Sequence, residues 1–121
     1  MRSAVQAYQT IANQTASPRD LEADLLLKAA SRLQAIQDRW DSEQSALDAA
    51  LLYNRKLWSI FLTSATSEDN PLPTDVRQNV ANLGLFVMNQ TLSMLSDPKP
   101  DQLRPLININ RELAAGLRTI P

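Results

Sequence analysis

The chain has 121 residues and a formal net charge of −1, with 12 basic residues against 13 acidic ones. Proteins that bind nucleic acids tightly usually carry a basic excess or a basic stripe, because neutralising phosphates drives their affinity. The near balance of charge therefore argues against direct nucleic-acid binding. The sequence contains no cysteine and no histidine. This excludes disulfides, thiol nucleophiles, imidazole bases and zinc sites built from cysteine or histidine.

The composition favours a helical protein with a real core. Hydrophobic residues make up 44% of the chain, whereas only 2 residues are glycine. Turn-rich β architectures need frequent residues at positive φ, which glycine adopts most easily. The length lies within the usual range for one domain. We therefore predict an all-α fold, a compact bundle of about five helices, with residues 1–121 forming a single domain.

The first predicted helix is short, and a second, longer helix follows it. The apolar positions of the first recur at helical spacing and are Ala4, Val5, Tyr8, Ile11 and Ala12. Residues 17–20 predict the start of the second helix, with Ser17 as N-cap and Pro18 at the first helical position. The apolar positions of the second helix are Leu26, Ala29, Leu33, Ile36 and Trp40.

A polar break around residues 41–45 precedes the third predicted helix. Its broad apolar face comprises Leu47, Ala50, Leu51, Asn54, Leu57, Trp58, Phe61 and Leu62. Large aromatic side chains at such positions are typical of a core, so Trp58 and Phe61 are interpreted as structural. Tyr53 and Ile60 flank this face, seven residues apart. They are candidates for lining a partner-binding groove.

The fourth predicted helix begins after a loop over residues 66–73, with Thr74 as the expected N-cap. It carries two apolar stripes on nearly opposite sides. The first stripe is Val76, Val80, Leu83, Val87 and Met94, and the second is Ala81, Leu85, Met88 and Leu92. Such a helix is either central to the bundle or keeps one stripe for a partner. We assign the β-branched first stripe to the core and the second stripe to an exposed binding surface, with Tyr53 and Ile60 as candidate extensions of it.

Gly84 lies in the middle of the fourth predicted helix, where glycine is unfavourable. It therefore predicts a close crossing with another helix at this position. The last helix is predicted from about Leu103 or Pro105 to about Gly116. Asn110 lies among its apolar residues, as Asn54 does in the third helix. A buried asparagine can set helix register through an interhelical hydrogen bond, and it can also recognise the backbone of a partner. We favour the first interpretation.

Nothing in the sequence predicts catalysis. The acidic pairs, Glu22 with Asp24 and Glu68 with Asp69, fall on predicted solvated faces or in the loop, without a second group to perturb them. We therefore expect no enzyme activity, no cofactor and no metal. Residues 79–96 reach membrane-spanning length, but their asparagines and glutamine are costly in lipid. With no signal-peptide pattern at the start, a cytoplasmic protein without a membrane partner is expected.

Several motifs, in order along nearly the whole chain, resemble those of the flagellar biosynthesis regulator FlaF of alphaproteobacteria. Any one of them is weak, whereas their order and spacing together are specific. The motifs are Tyr8, residues 17–23, Asn54 with Leu57, Trp58 and Phe61, residues 70–73, residues 82–84 with Phe86 and Val87, residues 106–111, and residues 115–117.

The resemblance implies an all-helical cytoplasmic protein that is needed for flagellin production and filament assembly. It also implies binding of newly made flagellin as an export chaperone, and action opposite FlbT, a regulator that restrains translation of flagellin mRNA. An apolar stripe on a helical bundle is compatible with this activity, because it could cover the amphipathic terminal helices of unassembled flagellin.

Two other functions remain open at this point. One is an RNA-associated regulator that acts directly on the translation of flagellin mRNA, although the charge balance argues against it. The other is an adaptor that acts only through FlbT and never contacts flagellin. We favour a flagellin-binding, secretion-chaperone-like regulator over both.

Overall fold

The computed structural model describes residues 18–119, and every regular element within that range is helical. The elements are α1 (Pro18–Asp38), α2 (Trp40–Glu43), a 3-10 turn (Gln44–Ala46), α3 (Leu47–Ala65), α4 (Thr74–Ser96), a second 3-10 turn (Pro100–Gln102) and α5 (Leu103–Thr119). The predicted all-α bundle is therefore confirmed. The first predicted helix and its neighbour Ser17, the expected N-cap of α1, lie outside the described residues.

The four long helices form two pairs. Helix α5 packs along α1, and α4 packs along α3, while contact between α1 and α3 joins the pairs. Helix α4 touches α5 only sparsely. Apolar faces of all four long helices meet in one core, because each buries a stripe at helical spacing. The largest fully buried apolar side chains are Trp58, Leu26, Leu33, Leu51, Met94, Leu103, Leu106, Ile107 and Val87.

The position of α4 explains its two apolar stripes. Because α4 packs mainly on α3, it lies at the edge of the bundle and has an outer face. In the first stripe, Val80, Val87 and Met94 are buried, while Val76 and Leu83 are half-buried against the core. In the second stripe, the side chains of Leu85 and Leu92 remain exposed by 62% and 55%.

Met88 does not match the exposed side chain expected of the second stripe. It is half-buried and packs against the core, and Ala81 is half-buried as well. Consecutive helical residues are separated by about a quarter turn. Met88 follows buried Val87 and therefore lies at the boundary between the buried and the exposed side of α4. A charge at Met88 would disturb folding, so Leu85 and Leu92 are the better probes of this surface.

Two local predictions on the connections between helices are corrected by the structure. Pro73, not Thr74, occupies the N-cap of α4, and it makes no side-chain capping bond. Thr74 is already helical, so its hydroxyl is no longer in the capping position. The predicted break at residues 41–45 is filled by α2 and the first 3-10 turn. These short helical turns let the chain reverse between α1 and α3 without an extended loop.

Gly84 lies where α4 packs closely against α3, as the sequence predicted. A Cβ atom added at Gly84 would lie 2.7 Å from Cγ of Leu62 in α3. That separation is well below van der Waals contact, so any larger residue must push Leu62 or the helix aside. Gly116 in α5 differs, because an added Cβ atom would meet nothing within 4 Å.

The two glycines therefore form a matched pair for mutation. We expect Gly116→Ala to raise the free energy of unfolding by about 0.5–1 kcal/mol, because alanine is the better helix former. Gly84→Ala gains the same helix propensity but must displace the Leu62 side chain or separate α3 from α4, and we expect a net loss of about 1–3 kcal/mol. Urea denaturation measures both. Equal stabilisation by the two substitutions would contradict the close crossing.

Candidate functional site

A buried polar network joins three helices at the centre of the bundle. Trp58 Nε1 in α3 donates to Asn110 Oδ1 in α5 over 2.9 Å. Asn110 Nδ2 donates to Asn54 Oδ1 of α3 over 2.7 Å and to the backbone oxygen of Leu26 in α1 over 3.3 Å. Neither asparagine side chain is accessible to solvent. The network therefore links α1, α3 and α5 and is closed to any partner in this conformation.

Asn110 is the centre of this network, and Asn54 is not. The side chain of Asn110 takes part in three hydrogen bonds, whereas Asn54 Nδ2 has no hydrogen-bond partner. The ring of Phe61 packs edge-on against Trp58, with 5.9 Å between ring centroids. Trp58 and Phe61 thus lie in the core, beside the network. Asn54, Trp58 and Asn110 have no solvent-accessible surface and are inaccessible for direct recognition, whereas Phe61 is buried apart from a small exposed part.

An exposed apolar surface runs along the outer face of α4. We call Ala81, Leu85, Met88 and Leu92 the α4 outer face. Leu85 and Leu92 are its exposed members and are two helical turns apart. That spacing is typical of the apolar residues through which one helix packs on another. The α4 outer face can therefore accept one side of an amphipathic helix.

Tyr53 and Ile60 lie on a different surface from the α4 outer face. Within α3, Ile60 is two residues from Leu62, which contacts Gly84 of α4, so their side chains point in nearly opposite directions. Tyr53 is half-buried and lies under the Arg32 guanidinium of α1, whose central carbon is 5.0 Å from the ring centroid. The structure thus places Tyr53 and Ile60 on the α1 side of α3.

Two exposed leucines of α1 extend this second surface, and sequence reasoning missed them. The side chains of Leu21 and Leu25 are 40% and 42% exposed, and that of Ile60 is 58% exposed. Leu25 lies two helical turns before Arg32, and Ile60 lies two turns after Tyr53, the ring that Arg32 covers. Because α1 and α3 run antiparallel, Leu25 and Ile60 lie on the same side of this contact. We call Leu21, Leu25, Tyr53 and Ile60 the α1–α3 edge. The sequence indicated this surface through three consecutive leucines at residues 25–27. Three consecutive residues of a helix point in different directions, so one buried stripe cannot hold them all.

A cleft of about 380 Å³ opens at one end of the bundle. The start of α1, the end of α3, the following loop, α4 and α5 all contribute to it. Its lining residues are Pro18, Arg19, Glu22, Phe61, Ser64, Ala65, Asn70, Pro71, Leu72, Val80, Leu113 and Leu117. We call this the end cleft. Most of these side chains are apolar, so the end cleft suits an apolar side chain of a peptide rather than a charged small molecule.

The loop that borders the end cleft is fixed by side-chain hydrogen bonds. Asn70 Nδ2 donates to the backbone oxygen of Ser64 over 3.0 Å, and Asn70 Oδ1 accepts from the Leu72 amide over 2.9 Å. Arg77 Nε of α4 donates to the backbone oxygen of Ala65 over 2.9 Å. The bonds to Ser64 and Ala65 satisfy backbone carbonyl groups at the end of α3. The wall of the cleft is therefore built into the fold.

Glu22 lines the end cleft, and its environment changes the pKa of its carboxyl group. Partial burial raises the pKa of the Glu22 carboxyl, and the positive charge of Arg19 acts in the opposite direction. Burial disfavours the ionised form because a carboxylate loses hydration. No group of three or more acidic residues that could hold a metal occurs in residues 18–119.

A second groove, of about 630 Å³, separates α4 from α5. It exists because these two helices touch only sparsely. Its lining includes the apolar residues Val76 and Leu83 and the acidic residues Asp75 and Glu112. The end cleft, this groove and the two apolar surfaces are the candidate sites for contact with another polypeptide. Within the described range, no helix is long and apolar enough to cross a membrane.

Comparison with known protein families matches residues 4–117 to the flagellar protein FlaF family. The chain belongs to the FlaF family. The match covers nearly the whole chain and confirms the resemblance found in the sequence motifs. No curated protein and no solved structure matches the chain. FlaF proteins function in flagellar biosynthesis or its regulation, and FlaF is a flagellar regulatory family rather than a known enzyme family.

The unequal roles of the two asparagines in this FlaF protein predict unequal mutant stabilities. Asn110→Leu leaves Trp58 Nε1 and Asn54 Oδ1 buried without partners, and we expect a loss of at least about 2 kcal/mol. Asn54→Leu removes one acceptor of Asn110 Nδ2, which keeps its bond to the Leu26 backbone oxygen, and it also removes the unpaired Asn54 Nδ2, so the change should stay within about 1 kcal/mol. Thermal melts with calorimetry compare them, with exposed Asn89→Leu as the control. Equal costs at Asn54 and Asn110 would contradict the network.

Glu22 predicts a pH dependence of stability with a defined sign. Its pKa is raised in the folded state, so the folded protein holds the proton at pH values where the unfolded chain has lost it. The contribution of Glu22 to stability must then fall as pH rises, from near the ordinary glutamate pKa of 4.5 to above the raised value. Glu22→Gln should remove this dependence and melt higher than the parent protein at neutral pH, but not at pH 3. A parallel pH profile for both proteins would contradict the burial of the carboxyl.

Proposed function

We propose that this FlaF protein binds newly made flagellin in the cytoplasm as a secretion-chaperone-like regulator that promotes flagellin production, export and filament assembly. It acts by binding and not by catalysis. The observation that carries the proposal is the α4 outer face, where Leu85 and Leu92 stay exposed although their helix is ordered by packing on α3. Family membership supplies the flagellar context.

The α4 outer face has the geometry for one amphipathic helix. Its exposed leucines are separated by two turns, and half-buried Ala81 and Met88 complete a continuous apolar strip. A helix laid against such a strip buries its own apolar residues at matching spacing. The terminal segments of flagellin are proposed as these helices, and covering them would prevent self-association before export. Met88 adds an adaptable side chain at the margin of the interface.

FlbT is the second proposed partner, and the α1–α3 edge is the apolar surface left accessible when flagellin occupies the α4 outer face. This surface is separate from the α4 outer face, so occupation of one leaves the other accessible. Direct action on flagellin mRNA is the less favoured alternative, since the net charge is −1. The side chains of Arg55 and Lys56 are exposed but form only a pair, too few for a phosphate-binding stripe.

Calorimetric titration with purified flagellin tests the proposal. We expect a dissociation constant of about 1 μM or lower that changes little when salt is raised, because apolar contacts are weakly screened. Leu85→Asp and Leu92→Asp should each weaken the complex at least about tenfold, with little loss of folding stability. Phe86→Asp is the matched control, because Phe86 is also exposed on α4 but lies about a quarter turn away.

Pull-downs with flagellin, FlbT and flagellin leader RNA separate the three functions. Binding of FlbT alone would support the adaptor, and RNA binding that is lost on adding salt would support the translational regulator. Loss of flagellin binding in Ile60→Asp but not in Leu85→Asp would move the flagellin site to the α1–α3 edge. Flagellin binding that none of the variants weakens would contradict both surfaces.

A further inference from the structure

The groove between α4 and α5 keeps apolar surface open to solvent. We call it the α4–α5 groove and define it by Asp75, Val76 and Leu83 of α4 and Glu112, Leu113 and Gly116 of α5. Val76 and Leu83 are two helical turns apart and only half-buried. A Cβ atom added at Gly116 would meet nothing within 4 Å, so α5 leaves room there for the backbone of another helix. The α4–α5 groove therefore has the shape and the apolar spacing to hold one helix between two others.

The charged residues that line the α4–α5 groove are both acidic. Asp75 belongs to the α4 wall and Glu112 to the α5 wall, and both side chains are exposed. Neither takes part in an ion pair within residues 18–119. The end cleft differs, because its lining includes both Arg19 and Glu22.

The basic residues close to these carboxylates in sequence do not line the groove. Arg77 Nε donates to the backbone oxygen of Ala65 at the end of α3 over 2.9 Å, and Arg118 of α5 pairs with Asp24 of α1. Arg111 is exposed but lies outside the lining. The lining therefore carries net negative charge, which attracts cationic side chains and repels nucleic-acid phosphates.

We propose that the α4–α5 groove binds an amphipathic helix of a partner protein, with lysine or arginine on both borders of the apolar face of that helix. The apolar face covers Val76 and Leu83, and the basic borders meet Asp75 on one wall and Glu112 on the other. The α4 outer face stays open in this complex, because Leu83 and Leu85 point in nearly opposite directions from α4. The α4–α5 groove is therefore a site separate from the proposed flagellin surface.

Two synthetic peptides of about 18 residues, long enough to form a helix, test the proposal. Both carry leucines on one face; one has lysines on both borders of that face, and the other has glutamates at the same positions. Calorimetric titration of the full-length chain should show at least about tenfold tighter binding of the lysine peptide, and raised salt should weaken that binding. Failure of the lysine peptide to bind, or equal binding of the two peptides, would overturn the proposal.

Charge reversal tests whether the groove carboxylates select the lysine peptide. Asp75→Lys combined with Glu112→Lys should reverse the preference between the two peptides. The control combines Asp48→Lys with Glu68→Lys, which changes the net charge equally; Asp48 is the second residue of α3, as Asp75 is of α4. The control should keep the preference of the parent chain. Equal effects of the two double variants would show that net charge alone governs binding, and would overturn the proposal.

Filling the groove tests its location without changing charge. Gly116→Leu should weaken lysine-peptide binding at least about tenfold without lowering the melting temperature, because the added side chain enters open space. Ala115→Leu is the matched control, since Ala115 is exposed and does not line the groove. Peptide binding that is lost in Leu85→Asp but kept in Gly116→Leu would move the site to the α4 outer face and overturn the proposal.

Sedimentation of the parent chain and of Gly116→Leu tests a second copy as the occupant. We expect both to be monomers at the concentrations of the titration. A dimer of the parent chain that Gly116→Leu dissociates would assign the groove to another copy of this chain, and would overturn the proposal. None of these measurements involves flagellin, so this proposal can fail separately from the proposed function.

Discussion

The hydrogen bonds of Asn110 are the constraint on which the rest of the bundle depends. The four long helices form two pairs, α1 with α5 and α3 with α4. Apolar contacts have no direction, so they discriminate weakly between positions one turn apart. Asn110 of α5 bonds Asn54 and Trp58 of α3 and the backbone of α1 at one relative position only. A one-turn shift would leave several buried polar groups unpaired, each costing about 1–3 kcal/mol. The network therefore selects a single register.

That register also determines which surfaces stay open. With α5 fixed against α1 and α3, α4 is held by α3 alone along most of its length, and Gly84 brings the two helices close. Close approach of α4 to α3 leaves the groove toward α5 unfilled and turns Leu85 and Leu92 outward. The apolar surfaces proposed for partners are thus a consequence of how the core is organised. They are not loosely packed parts of it.

Sequence periodicity predicted the helices and the close crossing, because both depend on local spacing. It also identified Asn54 and Asn110, since a polar residue inside an apolar stripe must find a partner or stay exposed. Periodicity could not show that Tyr53 and Ile60 face away from Leu85. It gives the angle of a side chain around its own helix, but not which helix lies on that side. The end cleft was missed for a related reason, because its wall depends on the loop at residues 70–72 and its hydrogen bonds.

The separation of the α4 outer face from the α1–α3 edge limits how one partner can bind. Leu62 of α3 contacts α4 on one side, and Tyr53 contacts α1 on the other, so the α3 backbone lies between the two surfaces. A helix is only about 10 Å wide, and a straight one cannot contact both. Simultaneous use of both surfaces requires two helices, from one partner or from two. If flagellin alone occupied both, Leu85→Asp and Ile60→Asp would each weaken the same complex. If flagellin and a second protein shared them, each substitution would weaken only one.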